Sequence, residues 1–215
     1  MLQLTCSAVG EWVLSEACKQ AVVWQEAGMP AMQMAVNISP LHIKDSSLIN
    51  SVSAALETSG LSPELLTLEF TDTVIKFRGG HRHTIEKLSR LGIKIAVENF
   101  GSGIASLESL KHLPLEYLKI HPRFITDLMD NPGTANLIGP MVNLAKALGC
   151  TVIAKGVAFE QQAQLLVGIG CSLGQGGYLG KTLSGSQLAA QLQATVYKGG
   201  AESVLFGEQV VSELS

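Results

Sequence analysis

Short apolar segments of strand length alternate with helical segments along most of the chain, and this alternation restricts the fold more than any other feature. Strands are expected at residues 32–38, 65–70, 94–97, 117–120 and 151–154, with a brief one around Tyr178. Between them the apolar spacing predicts helices at 10–27, 48–59, 83–91, 104–112, 136–148 and 160–169. The first carries Val13, Leu14, Ala17, Cys18, Ala21, Val22 and Trp24 on one stripe, and most of these helices run into a glycine that stops them. The strands read as apolar runs, the pattern of a parallel sheet buried on both faces. Right-handed crossovers of this size build an open doubly wound sheet or a (β/α) barrel. Six strands are visible, against the eight of a closed barrel.

The 215 residues suit one domain. It is expected to span residues 1–197. Residues 198–215 change character: glycines break the preceding helix, a small strand is expected at 204–206, and the tail is a candidate to pack on the barrel. A formal net charge of -3 gives no reason to expect a nucleic-acid partner. Cys6, Cys18, Cys150 and Cys171 are too scattered for a disulfide framework and read as reduced thiols. The N-terminus has no basic segment ahead of an apolar one, and no stretch is apolar enough to span a bilayer, so a cytoplasmic protein without membrane insertion is expected.

Nearly every strand delivers a polar group at its carboxyl end: Asn37, Glu69 with Asp72, Glu98 with Asn99, Lys119 with His121, Lys155, and Gln175 before the last strand. In a parallel barrel these ends converge on the face where βα loops build sites. No GxSxG elbow, GxxxxGK[ST] loop or HExxH helix is present to support another chemistry.

The residues around these positions form seven stations in order: GEWVLSEAC (10–18), VNIS (36–39), LEFTD (68–72), ENFGSG (98–103), LKIH (118–121), AKGV (154–157) and GQGGY (174–178). Together, from Val9 to Thr182, they resemble the EAL family, which writes the same stations as GEWVLREAC, VNLS, LEITE, DDFGTG, LKID, AEGVE and GQGYY. The resemblance implies a modified TIM-type barrel whose intact members hydrolyse one phosphodiester bond of cyclic di-GMP with two Mg²⁺ or Mn²⁺ ions. Paired hard cations require oxygen ligands rich in carboxylate.

Carried over position by position, Asn37, Glu69, Lys119 and Gln175 match the family's polar set, and Asp72 shortens a loop-bracing glutamate. Glu98 and Asn99 replace the two aspartates of DDFG, His121 the aspartate of LKID, and Lys155 the glutamate of AEGVE. An intact set implies a formal balance of about -5. Here Glu69 and Glu98 face Lys119 and Lys155, a balance of zero. The two-metal site is therefore expected to be lost, with no metal cofactor and a vestigial centre at Asn37, Glu69, Asp72, Glu98, Asn99, Lys119, His121, Lys155 and Gln175.

The family's first two strands, one bearing the EAL glutamate, have no counterpart in this sequence. An incomplete barrel is expected, with three ways to close the gap: cover by the tail around 204–211, cover by a second copy of the chain, or further residues upstream of the given start. The functional expectation is a catalytically inactive signalling or protein-interaction module in bacterial cyclic di-GMP signalling, served by a protein partner or a homodimer. Two alternatives stay open: a metal-independent cyclic di-GMP receptor, and a residual phosphodiesterase producing pGpG.

Overall fold

The computed structural model describes residues 2–44, 47–75, 80–103, 106–197 and 209–211. Helix α1 (Leu2–Glu26) leads into strand β1 (Gln33–Ile38), followed by α2 (Leu48–Ser59) and β2 (Leu66–Thr71). A short α3 (Asp72–Ile75) and α4 (Gly80–Arg90) precede β3 (Lys94–Phe100), and α5 (Leu107–Lys111) precedes β4 (Tyr117–Ile120). Then come α6 (Pro122–Thr126), α7 (Pro132–Ala147), β5 (Thr151–Lys155), α8 (Glu160–Ile169), β6 (Leu173–Gln175), α9 (Gly185–Tyr197) and β7 (Gln209–Val211). The strands make one sheet in the order β6-β5-β4-β3-β2-β1-β7, and every pairing is parallel. The first six strands form a curled half-barrel of sequential βα units, the incomplete TIM-type barrel that the alternation implies.

The apolar character of the strands is one-sided. Met34, Val36 and Ile38, Leu66, Leu68 and Phe70, Ile95 and Val97, Leu118 and Ile120, and Val152 and Ala154 join the core with the helices. Side chains alternate across a strand, so the opposite, concave face carries Ala35 and Asn37, Thr67 and Glu69, Ala96 and Glu98, Lys119, and Ile153 and Lys155. Both faces are buried, as the apolar runs imply, but the concave one is not apolar throughout: it holds ion pairs beside Ala35, Ala96 and Ile153. At its amino-terminal edge Lys94 Nζ donates to Gln33 Oε1 at 2.8 Å, and Gln33 Nε2 donates to the Glu64 carbonyl at 3.1 Å.

The last strand of the half-barrel lies at Leu173–Gln175, and Tyr178 falls in the exposed turn beyond it. The displacement has a physical cause. Gly156 and Val157 donate their amides to the Gln175 carbonyl at 2.7 and 3.0 Å, and Gly176 passes so close to Val157 that a Cβ there would strike its backbone. The first helix begins earlier than expected, at Leu2, and the tail strand pairs Gln33, Met34 and Ala35 of β1 with Gln209, Val210 and Val211. The strand expected at 204–206 lies outside the described residues.

One irregularity positions the polar centre. The β3–β4 register steps from Val97↔Leu118 to Phe100↔Ile120, so one extra residue is accommodated on β3 at Glu98 and Asn99. The extra residue here takes left-handed backbone: Asn99 stands at φ 59°, the sole non-glycine with positive φ among the described residues. Asparagine tolerates this conformation and β-branched residues do not. Asn99→Gly is expected to leave the denaturation midpoint nearly unchanged, whereas Asn99→Val should lower stability by about 1–2 kcal/mol, read from urea unfolding at constant slope.

Candidate functional site

The carboxyl ends of β2 to β5 bring four charged side chains into one ladder. Lys119 Nζ reaches both oxygens of Glu69, at 2.6 and 2.7 Å, and lies 3.7 Å from Glu98 Oε1. Lys155 Nζ donates to the same Glu98 oxygen. The order is therefore Glu69, Lys119, Glu98, Lys155, alternating in sign. Lys119 and Glu69 lie on strands separated by β3, in which Ala96 stands beside Glu69 in register. Ala96 has a single methyl group, which leaves room for the lysine stem to cross.

Burial grades along the ladder. The Lys119 and Glu69 side chains are 0% and 1% exposed, Glu98 is 9% exposed, and Lys155 reaches 18%. Burial pushes the Glu69 carboxyl above its ordinary range, with Lys119 opposing and the neighbouring Glu98 adding to the rise. At Glu98 burial pushes upward too, but the hydrogen bond and charge of Lys155, with the charge of Lys119, hold this carboxyl below the ordinary range.

The other sequence-predicted residues surround the ladder without joining it. Asn37 is exposed at the end of β1, in register with Glu69. Gln175 pairs in register with Lys155, and its buried Oε1 has no hydrogen-bond partner among the described residues. Asp72 is buried at the start of α3 and accepts from the Ser102 hydroxyl, while His121 caps α6, its Nδ1 accepting from the Arg123 amide at 3.1 Å. Asn99 occupies the bulge.

Two residues that sequence reading passed over brace the loop after β3. Ser102 ties it to Asp72, and the Arg123 guanidinium donates to the Gly101 carbonyl while lying 4.7 Å from the Phe124 ring centre. Ser102 sits inside the ENFGSG station, so its place was visible. Arg123 follows Pro122 at the start of a short helix and carries no such signal.

A half-barrel of parallel strands with polar side chains gathered at their carboxyl ends defines the TIM-type barrel class. Within that class the chain belongs to the EAL domain family, whose profile matches residues 3–182. It is 36% identical over 185 residues to the bifunctional diguanylate cyclase/cyclic di-GMP phosphodiesterase MucR of Pseudomonas aeruginosa, covering 86% of this chain and 27% of MucR. Similarity to the signaling protein YkoW of Bacillus subtilis is 33% identity, over 83% of this chain and 22% of YkoW. The chain thus spans about a quarter of the length of these curated relatives. Its backbone is similar to the MucR phosphodiesterase in complex with cyclic di-GMP (TM-score 0.80, 36% identity, 84% of this chain and 74% of that one). It is also similar to the EAL domain of Mycobacterium smegmatis DcpA (TM-score 0.82, 31% identity, 88% and 86%).

The family is generally metal-dependent, so the donor set must be compared with that need. Both ladder carboxylates are already engaged by ammonium groups, and the four charges sum to zero. An ammonium about 4 Å from a divalent ion is repelled by about 8 kcal/mol at an effective dielectric of 20. Among the described residues no group of three or more His, Cys, Asp or Glu side chains is arranged to hold a metal. The residues present do not fit a two-metal centre.

Two measurements check the ladder. Removing one member of a buried pair costs about 3–5 kcal/mol, whereas replacing both with apolar side chains is often neutral, so Lys119→Met should be strongly destabilised and Glu69→Met with Lys119→Met much less so in urea unfolding. The Glu98 contribution has a defined pH sense. Its folded pKa is depressed, so its stabilisation is present above the ordinary value of 4.5 and is lost as pH falls through the folded value. The stability gap between wild type and Glu98→Gln should hold at neutral pH and shrink as pH falls below 4.5.

Proposed function

We propose that this chain is a catalytically inactive EAL-type module in bacterial cyclic di-GMP signalling, acting by binding a protein partner or a second copy of itself, and that it works in the cytoplasm. The observation that carries the reading is the self-neutralised ladder. In it, Lys119 and Lys155 satisfy the carboxylates Glu69 and Glu98 that a metal-dependent hydrolase would offer to its ions. Without uncompensated carboxylate there is nothing to hold a cation or to lower the pKa of an attacking water. His121, the remaining candidate base, is spent on capping α6. A mean hydropathy of +0.29 agrees with use as an interaction module. No helix among the described residues is long and apolar enough to cross a membrane.

A second reading, a metal-independent receptor for cyclic di-GMP, is favoured by one specific observation. Lys155 is the most exposed member of the ladder and presents a cation at the carboxyl ends of the strands, where a dianionic ligand would approach. Its relative MucR has been captured in complex with cyclic di-GMP on a similar backbone. Retained hydrolysis is the third possibility, since curated relatives carry the name of cyclic di-GMP phosphodiesterase.

One assay separates the three. Labelled cyclic di-GMP is incubated with the purified chain in Mg²⁺, in Mn²⁺ and in EDTA, with pGpG read by chromatography and binding by equilibrium dialysis. The expected outcome is no pGpG above background in any condition. Binding that persists in EDTA and weakens in Lys155→Ala would establish the receptor reading. Production of pGpG that disappears in Glu69→Ala would overturn the proposal.

A further inference from the structure

The donor set disagrees with the metal requirement of the family, and we infer that Lys155 is the residue responsible: its ammonium is a resident cation that stands in for a divalent ion and excludes one. This deepens the proposal of an inactive module and rests on it. Four observations support it. Lys155 engages Glu98 at the outer end of the ladder, while the inner pair Lys119 and Glu69 is complete without it. Of the two ladder carboxylates Glu98 is the one held below its ordinary range, and it is shared between two ammoniums, of which Lys155 is the nearer. Gln175 stands beside Lys155 in register and keeps a buried carbonyl oxygen with no partner among the described residues, an acceptor that an ammonium committed to Glu98 leaves unused and that a hard cation would take. Lys155 is also the least buried member, and Glu98 keeps Lys119 at 3.7 Å when Lys155 is exchanged.

The charge consequence is direct. Replacing Lys155 with glutamate moves the ladder from a balance of zero to -2, with the new carboxylate between Glu98 at the end of β3 and Gln175, its register neighbour on β6. Oxygen donors with net negative charge are what Mn²⁺ and Mg²⁺ require. A neutral Lys155→Gln replacement removes the repulsion without adding a charged ligand and should fall between.

The test is Mn²⁺ titration of the full chain, wild type, Lys155→Gln and Lys155→Glu, by electron paramagnetic resonance of free Mn²⁺ and by thermal melting, with circular dichroism to confirm folding. Wild type should show no saturable binding and no rise in melting temperature. Lys155→Glu should bind roughly 100-fold or more tighter than wild type, because removing an ammonium and adding a carboxylate both favour the ion, and its melting temperature should rise with Mn²⁺. If Lys155→Glu fails to fold, Lys155→Gln alone decides: it must bind Mn²⁺ more tightly than wild type. Saturable Mn²⁺ binding by wild type overturns the inference, as does a folded Lys155→Glu with no gain. These failures are distinct from that of the functional proposal, which falls only if wild type makes pGpG.

Discussion

Everything at the concave face depends on charge neutralisation inside a space with little water. Glu69 and Lys119 lie where neither ion is solvated, and desolvating two separate charges costs several kcal/mol each. Glu69 is level with Ala96 and Tyr117 in the parallel register, so Lys119 stands one row further along the same face and its long stem reaches back across β3, where Ala96 leaves room. Each ion is the reason the other is tolerated. Glu98 and Lys155 extend the same logic outward, toward solvent, so that the series ends on the residue that can best afford to be exposed.

This alternation changes what the barrel can offer a ligand. An EAL-type centre that works through divalent ions must keep its carboxylates underused until the ions arrive, which makes the empty site electrostatically strained. Here the strain is relieved within the chain itself. The carboxylates are paired with Lys119 and Lys155, cations that are held covalently by β4 and β5 and cannot be exchanged. The loop after β3 is held in the same economical way: Ser102 and Arg123 anchor it from two sides through groups already needed for Asp72 and α6.

Periodicity made the βα order legible because glycine stops and apolar runs are local signals, and the half-barrel follows from them. The polar residues at strand ends were legible for the same reason. Their partners were not. The sequence sets Glu69 and Glu98 against Lys119 and Lys155, but only the side-chain distances show that Lys119 claims Glu69 and that Lys155 takes Glu98. His121 looks like a strand-end ligand in sequence, yet it caps a short helix and accepts from that helix's own Arg123 amide, because a helix of five residues leaves almost no periodic trace. Asp72, read as the counterpart of a loop-bracing glutamate, accepts from Ser102 in the loop after β3. Reading the strands as apolar on both faces failed at Thr67, Glu69 and Lys119, whose burial depends on neighbours far away in the chain.

The bulge in β3 is an addressing device. Apolar residues of this strand follow the spacing Ile95, Val97, Phe100, two steps and then three, and the extra step is what returns Phe100 to the helix-covered layer after Glu98 has been delivered to the concave one. Side-chain destination in a strand is set by parity, so residue 99 works as a counted position before it works as an asparagine. Were the strand to run regularly through Asn99, alternation would carry Phe100, three residues after Val97, onto the concave face and into the polar centre, although no residue had changed. The irregularity of the strand is as much a part of the site as its charges.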